Sequence, residues 1–202
     1  QINTAFRQSR TDLVTVRDSI GQAATNEVAT LNDALKQLAD ANEGLRRTPD
    51  GTAAHIALLD SRDQALTKIT KSLSVDVTFG ANDVANVKYG STDLVLNVSS
   101  GVVAVTQGAD GTLSFQAGAD AGSLAAVAAP TSGALAGLAV SAATTKDQIA
   151  KLDTLAADYV TTINDWHTAG QTAGGATGAP MLSIGANAAT LDVLITNPAD
   201  IA

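Results

Sequence analysis

The sequence predicts an α+β protein: an elongated antiparallel bundle of long, coiled-coil-like helices with a small antiparallel β domain inserted between them. Three observations carry that expectation. Apolar residues recur at alternating steps of three and four before Val75, the period drops to two between Val75 and Phe115, and the longer period returns from Leu135.

Residues 1–47 lack proline, and Gly21 is the only glycine before Gly44. Leu31, Leu35, Leu38, Asn42 and Leu45 alternate steps of four and three, the seam of a helix packed lengthwise on a partner. Upstream, Leu13, Val16 and Ile20 follow the same rule, but Ala24 and Val28 arrive in two successive steps of four. Such a stutter unwinds a supercoil locally and shifts the buried face. At 1.5 Å per residue a helix of this length measures roughly 65–70 Å, the dimension of a rod.

The Pro49-Asp50-Gly51 run is a turn, and a second helix is expected over roughly 53–73. Its predicted inner face carries Ile56, Leu59, Leu66, Ile69 and Leu73. Asp63 falls on that face, and a carboxylate in an apolar seam needs a partner, for which an Arg of the neighbouring helix is the expected choice.

From Val75 the pattern is that of strands. Val75, Val77 and Phe79 alternate with polar residues, as do Val87 and Tyr89, Leu94 to Val98, Val103 and Val105, and Leu113 and Phe115. Glycines and an Asp110-Gly111 turn separate them, so five short strands form a small antiparallel domain. The Ala/Gly-rich stretch 117–130, ending in Pro130, reads as a linker.

A Thr131-Ser132 cap then opens a third helix. Its seam runs Leu135, Leu138, Ala142, Thr145, Ile149, Leu152, Ala156, Tyr159, Ile163 and Trp166 and stops at Gly170. A Gly/Ala/Thr-rich loop follows, then an apolar stretch at Leu191–Ile195 in strand-like pattern, then Asn197-Pro198 with the signature of a further helix start. The expected domains are therefore 1–74 with 131–202 as a discontinuous bundle, and 75–130 as the inserted β domain. The chain opens inside one helix and stops at the start of another, so natural termini are expected to be missing.

Composition narrows the function. The 202 residues include no Cys and only two His, which excludes thiolate catalysis, disulfide frameworks and Cys/His zinc sites. A net charge of −8 with three Phe, one Trp and two Tyr makes a poor nucleic-acid binder. No apolar run approaches the length of a membrane span, and no cleavable leader is visible. With 39 Ala and 24 Thr, the core must come from small and aliphatic side chains, which favours thin packed helices over a deep ligand pocket.

Candidate chemistry is sparse. His55 and His167 lie in different helices, with no second His at ligand spacing and no activating partner nearby in sequence. Asp60-Ser61-Arg62-Asp63 could be read as an acid/base cluster, but no nucleophile or third carboxylate accompanies it, so intrahelical ion pairing is the expected role. The glycines at 170, 174, 175 and 178 neither follow a strand nor lead into Lys-Ser/Thr, and are read as a flexible loop, not a phosphate cradle. Catalytic, cofactor-binding and metal sites are all expected to be absent.

Five strings, in order, carry a family resemblance. Ala57-Leu-Leu-Asp-Ser-Arg-Asp-Gln-Ala-Leu resembles the Leu-Leu-Asp-x-Arg-Asp segment that leads into a β domain in flagellar hook-associated protein 1 family members. Val28-Ala-Thr-Leu-Asn-Asp-Ala-Leu-Lys-Gln-Leu is similar to the helix preceding it, and Thr131-Ser-Gly-Ala-Leu-Ala-Gly-Leu to the return into the long helix. Ile163-Asn-Asp-Trp-His-Thr-Ala-Gly and Asn197-Pro-Ala-Asp-Ile-Ala are similar to later family motifs. Two departures stand out: Met181-Leu182 replaces the family's aromatic pair, and the stretch before Leu191 is too short for an extra outer domain.

The resemblance implies a non-enzymatic structural subunit of the bacterial flagellum that joins hook to filament and is needed for filament assembly. Implied partners are further copies within the axial structure, the hook protein, the adjacent junction protein and an export chaperone acting through a missing C-terminus. The implied location is extracellular, reached by the flagellar type III pathway, with terminal segments that order on assembly. The alternatives are a flagellin or neighbouring junction protein of the same axial class, or an adhesive module on a helical stalk.

Overall fold

The computed structural model describes residues 1–202 and is α+β, a helical domain with an inserted β part. Three helices dominate: α1 (Ile2–Arg47), α2 (Ala53–Ser72) and α3 (Ala134–Thr168). Between α2 and α3 lie seven strands, β1 (Asp76–Phe79), β2 (Ala85–Tyr89), β3 (Thr92–Leu96), β4 (Ser99–Ser100), β5 (Val102–Gln107), β6 (Leu113–Gly118) and β7 (Ala125–Val127). Two short strands, β8 (Leu182–Ser183) and β9 (Asp192–Val193), follow α3.

The chain forms two compact units, Ser19–Ala143 and Gln1–Asp18 with Thr144–Ala202. In the first, α1 turns at Pro49–Gly51 into α2, and Thr52 caps α2 by accepting from the His55 N–H at 3.1 Å. Lys68 donates to Gln37 at 2.9 Å and Ser72 to Glu27 at 2.5 Å, so the two helices run antiparallel. The strands form two antiparallel sheets, β1-β2-β3-β4 and β5-β6-β7. They share one apolar core with the helices: Leu31, Leu35 and Leu38 of α1, Ile69 of α2, Val87, Leu94, Val103 and Phe115 of the sheets, and Leu135 of α3. Buried residues alternate along β2 (Ala85, Val87) and through Leu113, Phe115 and Ala117 of β6, whereas β3 buries the adjacent Leu94 and Val95; the Leu31–Leu45 seam of α1 is fully buried, as its period requires.

In the second unit the start of α1 and the later part of α3 run antiparallel. Phe6 and Tyr159 stack with centroids 5.6 Å apart, and Arg10 Nε donates to Asp153 at 2.9 Å. The β8–β9 segment covers Ala156 and Val160 with Leu182, Ala188 and Leu191.

Several expectations need correction. The inner face of α2 holds at Ile69 and Leu73, both fully buried, but is displaced by one residue elsewhere: His55, Ala65 and Ser72 are buried, whereas Ile56 is 55% exposed. Asp63 points to solvent and pairs with its neighbour Arg62 at 2.8 Å, so it is not a seam residue paired across helices. Arg62 takes the inner position instead, because its guanidinium donates to Asp83 O at 2.8 Å and lies 4.9 Å from the centre of the Phe79 ring. Val16 of α1 is likewise largely exposed. The seam of α3 holds to Ile163 and then slips: Trp166 is 65% exposed and His167 is fully buried, since backbone partners await the imidazole.

The stretch read as a linker contains β7, which pairs with β6 in the register Phe115↔Val127. A two-residue strand, β4, was also not anticipated. The Asn197-Pro198 signature opens only a 3₁₀ turn, Pro198–Asp200, with Asn197 accepting from the Ala199 N–H at 3.1 Å.

Candidate functional site

Polar side chains mid-helix must find partners when buried, because an unsatisfied amide is costly away from water. Three asparagines solve this in the same way. Asn42 of α1, fully buried, donates through Nδ2 to Ala85 O at 2.8 Å while its Oδ1 accepts from Ala85 N at 3.0 Å. The same Nδ2 reaches Asn97 O at 2.6 Å. Asn32, ten residues earlier on α1, makes the equivalent pair with Val103, both bonds 2.9 Å long. Asn164 of α3 does so with Leu182, again with both bonds at 2.9 Å, and its Oδ1 also accepts from Met181 N at 2.8 Å.

In every case one side-chain amide meets the N–H and C=O of a single residue, imitating the peptide of a neighbouring strand. Ala85 opens β2 and Leu182 opens β8, while Val103 is the second residue of β5. The helices are thus clipped to extended segments at the points where those segments begin.

A carboxylate supports the second unit similarly. Asp153 Oδ1 accepts from Arg10 Nε at 2.9 Å and from Ala188 N at 2.8 Å, joining α1, α3 and the 3₁₀ turn Ala188–Thr190. In the first unit, Tyr89 donates its hydroxyl to Ala128 O at 2.6 Å, and burial raises its pKa above the ordinary tyrosine value.

The residues singled out as possible chemistry are not brought together. Asp60 and Asp63 lie on the exposed face of α2 beside Lys68 and Lys71 in an open groove. His55 is buried under the α1–α2 turn, with Asp50 3.7 Å from Nδ1 and Asp83 3.6 Å from Nε2. His167 lies in the other unit and contacts backbone groups alone among its hydrogen-bond partners. No three His, Asp or Glu side chains gather as a metal-binding group. The glycine loop is a tight, hydrogen-bonded hairpin: Thr172 N donates to Ala176 O at 2.9 Å, Gly175 N to Thr172 O at 2.8 Å, and Gln171 bridges to Thr177. The amides of Thr172, Gly175 and Gly178 are thus spent on carbonyls of the same loop.

The asparagines were largely missed by sequence reasoning. Asn42 carried a signal, since it interrupts an otherwise aliphatic seam; Asn32 and Asn164 did not.

What this geometry defines is a scaffold: helices fastened to strands by satisfied polar clips. The chain belongs to the flagellar hook-associated protein FlgK family, whose helical-domain model matches residues 1–182. Among solved structures it is similar to the flagellar hook junction protein FlgK from Burkholderia pseudomallei, at a TM-score of 0.73 and 22% identity. That likeness covers 91% of this chain and 34% of that one, so the chain spans about a third of that protein's length. None of the curated proteins matches the sequence.

Proposed function

We propose that this chain is the helical-domain portion of a structural subunit that joins hook to filament in the bacterial flagellum and without which filaments do not assemble. The observation that carries the reading is membership of the FlgK helical-domain family over residues 1–182. The clipped architecture supports it, because a subunit that transmits load needs elements held in one register more than it needs a pocket. The exposed apolar side chains of the unit built from 1–18 and 144–202 also support it. Ile2, Leu155, Trp166, Val193 and Leu194 are each about half exposed or more, a distribution that suits contacts with neighbouring subunits.

On this reading the partners are further copies of the subunit, the hook protein and the adjacent junction protein, with an export chaperone before assembly. The protein has no enzymatic role and works outside the cell after export through the flagellar type III pathway. Residues 75–130 are an insertion into a helical framework of 1–74 and 131–202, in keeping with the element order. Deleting the gene should leave hooks without filaments and unpolymerised flagellin in the medium, as seen by electron microscopy and immunoblotting. Normal filaments in that strain would end the assignment.

A further inference from the structure

The two edges of the sheet β5-β6-β7 are finished differently. In antiparallel ladders the N–H and C=O of one residue point to the same side, and successive residues alternate sides. Val103 spends both groups on Asn32, and Gly101, two residues before it, donates to Leu94 O at 2.7 Å. Residues of that parity in β5 therefore face away from β6, and their edge is covered by α1 and β3. Val103 is aligned with Ala117, so Ala117 turns its own groups away from β5 and toward β7. There Ala117 is aligned with Ala125, and Phe115 with Val127. The ladder bonds of β7 thus belong to Ala125 and Val127, and Ala126 between them directs its N–H and C=O outward.

At Ala126 this second edge is open. The residue is exposed, and no turn or loop hydrogen bond reaches its backbone. Ala128 has the same parity, and its C=O accepts from the Tyr89 hydroxyl at 2.6 Å, which places Tyr89 on the outward side. A cleft of about 470 Å³ lies there, between the 125–129 stretch and the β2–β3 turn at Gly90 and Ser91. No charged side chain lines it, and Lys88 and Asp93 beside that turn pair with each other at 3.2 Å. Alanines at 125, 126, 128 and 129 keep side chains short, so a second main chain can approach the first. A donor and an acceptor left free on a strand edge are matched by the backbone of another strand.

We propose that the cleft beside β7 binds an extended, uncharged polypeptide segment, which adds as a fourth strand and pairs with Ala126. A charged side chain would leave water for a cleft that offers it no counter-ion. A folded second copy holds the same edge behind its own β2–β3 turn, so the occupant is an unfolded stretch of chain and not the twin edge. Tyr89 sets the limit of the added strand, because its hydroxyl already holds Ala128 O.

The test is NMR titration of this chain with a capped heptapeptide of alternating threonine and valine, with amide exchange measured before and after. In the free chain Ala126 should exchange fast while Ala125 and Val127 are protected. At saturation the Ala126 amide should shift and its exchange should slow about tenfold or more, the gain of one hydrogen bond. Ala126→Pro removes an N–H that the ladder to β6 does not use, so it should fold as before and bind at least about tenfold more weakly. Val127→Pro removes a ladder N–H and should instead lower the melting temperature. A peptide with glutamate in place of threonine should bind more weakly, and one methylated at every amide nitrogen should not bind. Protection of Ala126 in the free chain, an unmoved Ala126 amide at millimolar peptide, self-association through this edge, or undiminished binding by Ala126→Pro or of the glutamate peptide would each overturn the proposal. Should Ala126→Pro fail to fold, the methylated peptide decides: binding equal to that of its parent refutes main-chain pairing.

Discussion

Replacing Asn42 with alanine removes the hydrogen bonds to Ala85 N, Ala85 O and Asn97 O without disturbing the leucine seam on either side. Asn97 is exposed, so water can replace its partner, but Ala85 is fully buried and both its backbone groups would be stranded. At about 1–3 kcal/mol for each orphaned buried group, less the roughly 0.5 kcal/mol by which alanine favours a helix over asparagine, the expected loss is about 2–5 kcal/mol. That is a large share of the roughly 5–15 kcal/mol typical of a folded domain. Asn32→Ala should likewise strand both backbone groups of Val103, which is buried too, at about the same cost. Urea unfolding monitored by circular dichroism measures both, through the midpoint at unchanged slope.

Asn42→Asp separates hydrogen bonding from packing. The carboxylate can still accept from Ala85 N, but it turns a second negative oxygen toward Ala85 O and Asn97 O. At neutral pH it should be less stable than Asn42→Ala. It should recover as pH falls and the carboxyl gains a proton to donate, a trend Asn42→Ala cannot show. A loss below about 0.5 kcal/mol for Asn42→Ala, the range of ordinary surface changes, would refute the clip. So would an Asn42→Asp variant that tracks Asn42→Ala at every pH.

The remaining predictions concern other fastenings. Burial raises the Tyr89 pKa above its ordinary value of 10.0, so the fold prefers the neutral phenol. Its contribution is complete below about pH 10 and is lost as pH rises toward the folded-state value; Tyr89→Phe should remove that part of the alkaline melting profile. Gly178→Ala would drive a Cβ into His167 O, and the melting temperature should fall by several degrees, whereas Gly174→Ala, which meets only Thr172 Oγ1 at 3.8 Å, should be near neutral. Asp153→Asn keeps an acceptor for Ala188 N but loses the charge that pairs with Arg10, so it should cost about 1 kcal/mol against about 2–3 for Asp153→Ala, by denaturant titration.

How much of this was legible follows from where each determinant lies. The Leu31–Leu45 seam and the alternating strands were readable because burial there follows a local period. The face of α2 was not: two three-four patterns overlap, offset by one residue. The winner is chosen by partners from the β part, the Asp83 carbonyl and the Phe79 ring that receive Arg62. Trp166 and His167 pose the same ambiguity at neighbouring positions. The larger apolar residue looked like the core residue, but the groups that decide it, Ala179 O and Ala202 N, lie far along the chain and meet the two ring nitrogens of His167. β7 was hidden because Ala125-Ala126-Val127 has little strand preference of its own, and its pairing with β6 decides the matter. The candidate site followed the same rule. The clips depend on which backbone residue each asparagine meets, a partner that no local period displays.

The clips also say why asparagine stands where a leucine would pack better. In the β2–β3 ladder Val87 sits opposite Val95, so the next matching pair outward is Ala85 and Asn97. Asn97 turns away there in a left-handed conformation, φ 54°, and the Asn42 amide bridges the gap between the two. A leucine at that position would leave Ala85 unpaired beneath a helix that excludes water. An aspartate could satisfy the N–H but has nothing to donate to the C=O without changing protonation. Because both bonds of each clip go to one residue, sliding the strand by a single position forfeits the pair and turns its inward side chains outward. The net stability of such a pair is modest, but its dependence on register is steep. Steep register dependence is what a helix needs in order to seat one particular alignment of a strand whose own Val- and Ala-rich sequence would accept several.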